Sequence, residues 1–340
     1  MTTPKEYSSS TYEPQRVLRV TKSEATGNDF VMIFDPDDLI DLPPGAIARL
    51  CDRRKGIGAD GVIRLVRHLG DAKESSDSSS HFRHSMRFFM DYRNADGSIA
   101  EMCGNGVRCA ALYLLARGIV EGPQVPIETR AGHKIVVAEN DSADFSVDMG
   151  QPGLAVDDIV DLTAPGIQLL KHATSMTPAL VRVKLGTGQG VHSAGFCAGD
   201  SEEEFVDAYI VSMGNPHAVI FLHGDSSLDL ESAVRHLGPL VERHSAFPNG
   251  TNVEFVSPSG KDTFRVRVWE RGVGETLSCG TGACAVGVVA LATGLATSDV
   301  VRLRFPGGEL VVRLNKTVFL QGPAREVFEA EIDLERLLDE

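Results

Sequence analysis

Two cysteines of this chain stand in the same local setting. The first lies in Glu101-Met-Cys-Gly-Asn-Gly-Val-Arg-Cys-Ala110 and the second in Leu277-Ser-Cys-Gly-Thr-Gly-Ala-Cys-Ala285. In each, the thiol directly precedes Gly-X-Gly, and the glycines run into a small-residue apolar segment that reads as a helix, over Ala110–Ala116 and Ala283–Ala292. A cysteine at a helix start has its thiolate favoured by unpaired amide N–H groups and by the positive end of the helix dipole. The same N–H groups, left bare by glycine, can grip a carboxylate. Cys103 and Cys279, facing one another, would hold an amino-acid carboxylate between two ionisable sulfurs.

Inverting a carbon that bears hydrogen needs one group to remove the proton and another to deliver a proton from the opposite face. Two cysteines supply both roles, one as thiolate base and one as thiol acid, and exchange them in the reverse direction. The carbanion beside a carboxylate is high in energy. Amides of Gly104-Asn-Gly106 and Gly280-Thr-Gly282, aimed at that carboxylate, would stabilise it by roughly 3–4 kcal/mol per donor. This chemistry requires no cofactor, and no pyridoxal-phosphate motif is recognisable.

The frame that must position the thiols is read next. Strands are expected at Arg16–Lys22, Val31–Phe34 and Val62–Val66, with a helix from Pro43 and Pro44 through Arg54. Gly56-Ile-Gly-Ala-Asp-Gly61 has the glycine spacing of a dinucleotide fingerprint, but a helix precedes it and a strand follows, the reverse of the required order, so it is a turn. The serine-rich stretch 68–85 is too polar to pack and reads as an exposed insertion, and its His68, His81 and His84 are not read as a metal site, because ordering such a loop is entropically costly. Met86–Arg93 is a strand that ends in the turn Asn94-Ala-Asp-Gly97, one short connection before the first thiol. Strands follow around Val125–Thr129, Lys134–Ala138 and Phe145–Asp148, whereas Gln151–Glu204 shows little pattern. Further on come strands at Val206–Met213, Ala218–Leu222, Val253–Val256 and Phe264–Trp269, a helix over Asp229–Arg243, and a hairpin of Arg302–Arg304 with Leu310–Arg313.

Laid over one another, the halves correspond. Gly27-Asn-Asp matches Gly214-Asn-Pro, Asp60-Gly-Val matches Asn252-Val-Glu, and Asn94 and Glu270 each lie nine residues before their cysteine. An internal duplication is expected, with a pseudo-two-fold that sets the two thiols across a cleft. The fold class is α+β.

With 340 residues, 42% of them hydrophobic, the chain can fill two cores of ordinary size. A net charge of −14 with no long basic run excludes a nucleic-acid surface. The apolar run Ala283–Ala296 is short and glycine-broken, which argues against a membrane span, and the polar segment 1–15 lacks a signal-peptide core, so it reads as a disordered tail on a cytoplasmic protein. No C-x-x-C pair offers a zinc knuckle, no metal is expected, and Cys51, Cys109, Cys197 and Cys284 read as small buried hydrophobes.

Ala25-Thr-Gly-Asn-Asp-Phe30, Arg93-Asn-Ala-Asp-Gly-Ser98, Met102-Cys-Gly-Asn-Gly-Val-Arg108, Gly214-Asn-Pro-His217, Thr251-Asn-Val253, Glu270-Arg-Gly272 and Ser278-Cys-Gly-Thr-Gly282 occur in the order found in diaminopimelate epimerases, and from about Val17 to Gly322 the chain resembles that family. The resemblance implies a cofactor-independent interconversion of LL- and meso-diaminopimelate, in lysine and cell-wall synthesis. It also implies two pseudo-symmetric domains, each a curved sheet wrapped round a central helix, and a homodimer. On this basis 16–147, with the insertion 68–85 and completed by 325–340, form the N-terminal domain, and 148–324 the C-terminal one. Cys103 and Cys279 become the base and acid pair, and His217 and Glu270 the neighbours that help move protons. Asn28, Asn94, Asn215, Asn252 and Arg271, with Gly104, Asn105, Gly280 and Thr281 at the helix starts, become the substrate's binding groups. The chain departs from the family at Gly61, where glutamine is frequent, and in its extra length. Three rivals are a proline- or hydroxyproline-type thiol-pair racemase, a phenazine-type isomerase that lacks the cysteine pair, and a non-catalytic or redox-sensing binder of a diamino acid.

Overall fold

The computed structural model describes residues 17–68, 87–139, 144–187, 203–222 and 229–339. The tail 1–15, the bulk of the serine-rich insertion, and Cys197 lie outside the described residues.

The first half runs β1 (Val17–Ala25), β2 (Asn28–Phe34), α1 (Pro44–Cys51), β3 (Gly61–His68), β4 (Arg87–Asn94), α2 (Gly104–Ala116), β5 (Gln124–Thr129), β6 (Gly132–Ala138) and β7 (Asp144–Asp148). After β8 (Ile167–Lys171) and β9 (Ala179–Thr187), the same order repeats. It comprises β10 (Glu203–Ser212), β11 (Pro216–Phe221), α3 (Leu230–Glu242), β12 (Asn252–Gly260), β13 (Thr263–Glu270), the short β14 (Gly274–Thr276), α4 (Gly280–Ala292), β15 (Val300–Phe305), β16 (Gly308–Leu314) and β17 (Val318–Pro323). The chain then ends in β18 (Arg325–Asp333) and α5 (Leu334–Asp339).

Pairing directions repeat as well. β1–β2, β3–β4, β5–β6 and β6–β7 are antiparallel, and β2–β3 and β4–β5 parallel. In the second half β10–β11, β12–β13, β15–β16 and β16–β17 are antiparallel, and β11–β12 and β13–β15 parallel. The two ladders join where β7 and β17 pair, Val147 opposite Leu320. At its other end the first ladder is extended by β18 on β1, and the second by β9 on β10, with β8 beyond it. The duplication read from the sequence is therefore present strand for strand.

The parallel register places Phe30 opposite Gly61 and His217 opposite Asn252. Asn28 thus corresponds to Asn215 and Gly61 to Asn252, which corrects the expected match of Asp60 with Asn252 by one residue. A one-residue slip exchanges the two faces of a strand, so this register decides which side chains reach the inner face.

Each half wraps its sheet round one helix. In α2 every residue from Gly104 to Ala111 is buried, and in α4 burial runs almost unbroken from Gly280 to Ala290. A helix apolar on all sides belongs inside a core. The side chains of α2 and α4 meet the inner sheet faces in one continuous cluster spanning both halves, including Phe30, Ile63, Val107, Leu114, Val219, Val286, Val312 and Leu320. Each Val, Leu or Ile so buried contributes about 1.5–3 kcal/mol. The outer faces carry separate cores, one under α1 and α5 with Ile33, Leu50 and Leu337, and one under α3 with Ile210, Leu237 and Phe255.

Some boundaries differ from expectation. Both central helices begin at the glycine after the thiol rather than later, and α1 stops at Cys51, because the amides of Ile57 and Gly58 turn back onto Leu50 O. The segment that showed little pattern contains β8 and β9. α3 begins as read, with Asp229 as its N-cap accepting from Ser232 N at 2.7 Å.

Candidate active site

Cys103 and Cys279 are the N-cap residues of α2 and α4, with φ, ψ of −135°, 121° and −134°, 121°. Their helices approach one another at these ends. A Cβ built on Gly280 would lie 3.5 Å from Gly104 Cα, and one built on either glycine would lie 3.0 Å from Leu320 Cδ2. Side chains at these two positions would push the helix starts apart, so glycine keeps the two thiol-bearing turns together.

Around Cys103 the polar contacts run outward. Its Sγ donates to Asn28 Oδ1 at 3.5 Å, Asn28 Nδ2 donates to Asp60 Oδ2 at 2.6 Å, and Arg53 grips Asp60 at 2.7 Å and Asp29 through both terminal nitrogens at 2.9 and 2.7 Å. Lys22 Nζ adds a contact of 2.6 Å to Asp29. Burial would raise the Asp29 carboxyl, but Arg53 and Lys22 outweigh it and hold it at about 2. Asp60 shifts upward, through burial and the charge of Asp29.

Around Cys279 the contacts run inward. Gly282 N donates to its Sγ at 3.4 Å, and Thr281 Oγ1 lies 3.4 Å from the same sulfur. Asn215 Nδ2 donates to Thr281 Oγ1 at 3.3 Å, Asn215 Oδ1 lies 3.0 Å from His217 Nε2, and His217 Nδ1 lies 2.7 Å from Glu254 Oε1. The side chains of His217 and Glu254 are both inaccessible to solvent. Glu270, the last residue of β13, accepts from the Thr276 hydroxyl, and its carboxyl is raised, first by burial and then by Glu254.

The thiols themselves are shifted opposite to the simple helix-dipole expectation. Burial pushes Cys103 up to about 11, although the Gly106 and Asn105 amides draw it down. Cys279 is also raised, by burial and then by the charges of Glu270 and Glu254, against the Thr281 hydroxyl and the Gly282 amide. Desolvation of a sulfur anion outweighs two or three amide dipoles.

Other residues expected at the site make hydrogen bonds within the protein. Asn252 is buried and spans two backbone groups, its Nδ2 donating to Pro216 O at 3.0 Å and its Oδ1 accepting from Arg271 N at 2.9 Å. Arg271 is exposed and donates to Asn249 O at 3.0 Å. Asn94 sits at the end of β4 with its amide on Ser98 Oγ at 3.0 Å. Asn105 is buried between the halves, where its Nδ2 donates to Ser278 Oγ at 3.1 Å and its Oδ1 accepts from Arg108 at 2.9 Å, while its backbone amide is turned to the Cys103 sulfur.

Several contributors were missed in the sequence. Arg108 is fully buried and donates to Thr26 Oγ1 at 2.9 Å as well as to Asn105, and Ser278 Oγ donates to Thr26 O at 2.7 Å. The Ser278–Thr26 bond, like that of Asn105 with Ser278, crosses between the halves, whereas the two Arg108 bonds stay within the first. The bonds to Thr26 also hold it at φ 54°, in the left-handed region that β-branched residues avoid. Glu254 and the buried Tyr92 belong to the inner faces of β12 and β4. A lone carboxylate in the apolar run Val253–Val256, and an arginine at the start of an otherwise apolar helix, were the legible signals.

The duplicated fold is shared by racemases and phenazine-biosynthesis proteins. A hydroxyproline epimerase from Agrobacterium vitis matches with a TM-score of 0.59 at 15% identity, covering 94% of this chain and 94% of its own. A PhzF-family phenazine biosynthesis protein from Bacillus anthracis matches with a TM-score of 0.56 at 16% identity, covering 93% and 99%. The family described as diaminopimelate epimerase matches residues 20–155 and 209–327. A diaminopimelate epimerase of Pelotomaculum thermopropionicum is 36% identical over 325 residues, 92% of this chain and 98% of the relative. That of Corynebacterium glutamicum is 37% identical over 317 residues, covering 92% and 97%. The chain belongs to the diaminopimelate epimerase family.

Proposed function

We propose that this protein interconverts LL- and meso-2,6-diaminopimelate, without a cofactor, through Cys103 and Cys279. One sulfur, as thiolate, takes the α-hydrogen. The C–H electron pair stays on the α-carbon and spreads into the carboxylate, whose oxygens meet the amides of the two helix starts. The opposite thiol then gives its proton to the other face, and the next turnover in the reverse direction starts from the exchanged protonation states. A thiol raised by burial suits both roles: its thiolate is a stronger base toward a weak carbon acid, and its neutral form persists until a carbanion is present. His217 and Glu270 assist proton movement, and Asn28, Asn94, Asn215, Asn252 and Arg271 orient the rest of the substrate.

The observation that carries this reading is the matched pair of N-cap thiols on helix starts that abut, in a chain of this family. The division into 16–147 with 325–340, and 148–324, belongs to the same reading and is supported by the β1–β18 ladder. A homodimer, a cytoplasmic setting and a place in lysine biosynthesis are carried by family membership. The test is incubation of the protein in heavy water with LL-diaminopimelate and, separately, with L-proline, followed by NMR at the α-position. Turnover of diaminopimelate alone is expected. Exchange of proline alone would overturn the substrate, and exchange of neither would turn the reading toward a binder.

A further inference from the structure

Glu254 is a carboxylate placed where the fold offers it little. Its strand neighbours across the sheet are Val219 and Val268, both buried, and it points to the inner face that packs on α4. One oxygen, Oε1, meets His217 Nδ1 at 2.7 Å, while Oε2 is buried with no hydrogen-bond partner among the described residues. A buried carboxylate left half-satisfied is unfavourable. The fold also shapes itself round this group, since a Cβ on Gly282 would stand 2.5 Å from Glu254 Oε1. In the other half the register gives Ile63 in place of Glu254 and Phe30 in place of His217, and the Cβ of Gly106 would meet Ile63 Cδ1 at 2.9 Å. Duplication therefore built one site with an apolar pair beneath the helix start and one with a carboxylate and an imidazole.

We propose that Glu254 is a positioning residue for the Cys279 face of the reaction. A carboxylate oxygen and an amide oxygen both only accept, so in this arrangement His217 donates from both ring nitrogens, Nδ1 to Glu254 Oε1 and Nε2 to Asn215 Oδ1, and the ring is fixed between them. Asn215, Thr281 and Cys279 continue the line in steps of 3.3 and 3.4 Å. Glu254 acts through this chain and does not touch substrate. Cys103 is served by Asn28, Asp60 and Arg53 instead, with no hydrogen bond to this line among the described residues. The inference rests on the reading of Cys279 as one of the two proton-transfer groups.

The test is Glu254→Gln, which keeps shape and removes charge, assayed in heavy water with LL- and with meso-diaminopimelate separately, following deuterium in the starting isomer and in the product. Epimerisation is expected to fall on the order of 10- to 100-fold, the range in which outer partners of a working imidazole act. Because the equilibrium between the isomers is fixed, kcat/KM for epimerisation falls equally in both directions, and what should differ between the isomers is the ratio of deuterium entry into the starting isomer to product formation. For the isomer deprotonated by Cys103, deuterium should enter the starting isomer faster than product forms, because the carbanion waits for Cys279 and is returned by Cys103. For the isomer deprotonated by Cys279, exchange and epimerisation should slow together. Glu254→Asp, which keeps the charge but withdraws it from Nδ1, should show the same asymmetry. As a readout independent of turnover, the downfield proton signal of His217 Nδ1–H should move upfield in Glu254→Gln, since a neutral amide is the weaker acceptor. Unchanged rates, the same ratio of exchange to product formation for both isomers, or an unmoved Nδ1–H signal would overturn the proposal. Absence of diaminopimelate turnover by the unsubstituted protein would instead overturn the reading on which it rests.

Discussion

The two halves of this molecule share a frame and differ in what they hang on it. Position for position, the inner lining of the first half is Asn28, Phe30, Gly61, Ile63, Tyr92 and Asn94, and that of the second is Asn215, His217, Asn252, Glu254, Val268 and Glu270. Only the asparagines beside the two thiols are kept. The N-cap torsions of Cys103 and Cys279 agree to within a degree, yet the titratable lining lies almost wholly on the Cys279 side. Inversion needs like groups on opposite faces of one carbon, which a duplicated helix start supplies. The substrate is not symmetric about that carbon, and neither is the lining. Geometry is shared between the halves, and charge is divided between them.

What is shared can be broken first, and with the largest effect. Cys103→Ala and Cys279→Ala should each lower epimerisation by about 10³-fold or more, because neither a lone base nor a lone acid can invert the centre. Both variants should keep the far-ultraviolet circular dichroism of the parent, since removing one sulfur from a helix start leaves both cores intact. A variant that retains substantial turnover would show that the two turns, though alike in structure, are not alike in use.

What differs can be sharpened by a smaller change made twice. Gly106→Ala brings a methyl 2.9 Å from the end of the Ile63 side chain, which can swing away, whereas Gly282→Ala brings it 2.5 Å from a carboxylate oxygen held on His217. Thermal unfolding should register roughly 1–3 kcal/mol of destabilisation at Gly282 and less at Gly106, the range for overpacking a filled interior. Equal losses would mean that the Glu254 side is no more rigidly held than the Ile63 side.

Much of this arrangement was legible beforehand, and the reason is local. A cysteine before Gly-X-Gly, the turn Asn94-Ala-Asp-Gly97 and an Asp N-cap carry their structure within a few residues, so the thiols, the flanking strands and the start of α3 were placed from the chain alone. Register is not local. Whether Asp60 or Gly61 faces the inner side depends on pairing with β2, and the sequence match fell one residue off. Glu254 was passed over for the same reason: within Val253–Val256 it is one polar residue in a strand, and only packing against His217 and Gly282 shows which face it takes. The direction of the thiol shifts was misread because a helix start is visible in sequence, while the burial that outweighs it belongs to the folded interior. β8 escaped because Ile167–Lys171 is short and mostly exposed, and β9 was passed over although Ala179–Lys184 alternates buried and part-exposed residues as a strand does.

The central claim is that two different sulfurs serve opposite faces of one carbon, and it is tested most directly by following the α-hydrogen of LL-diaminopimelate through the first turnovers in heavy water. The account predicts that meso product forms carrying deuterium from solvent at the inverted carbon, while unreacted LL isomer still carries hydrogen. Product that keeps the substrate's own hydrogen at that carbon would mean that a single group removes and returns it, and would contradict the account.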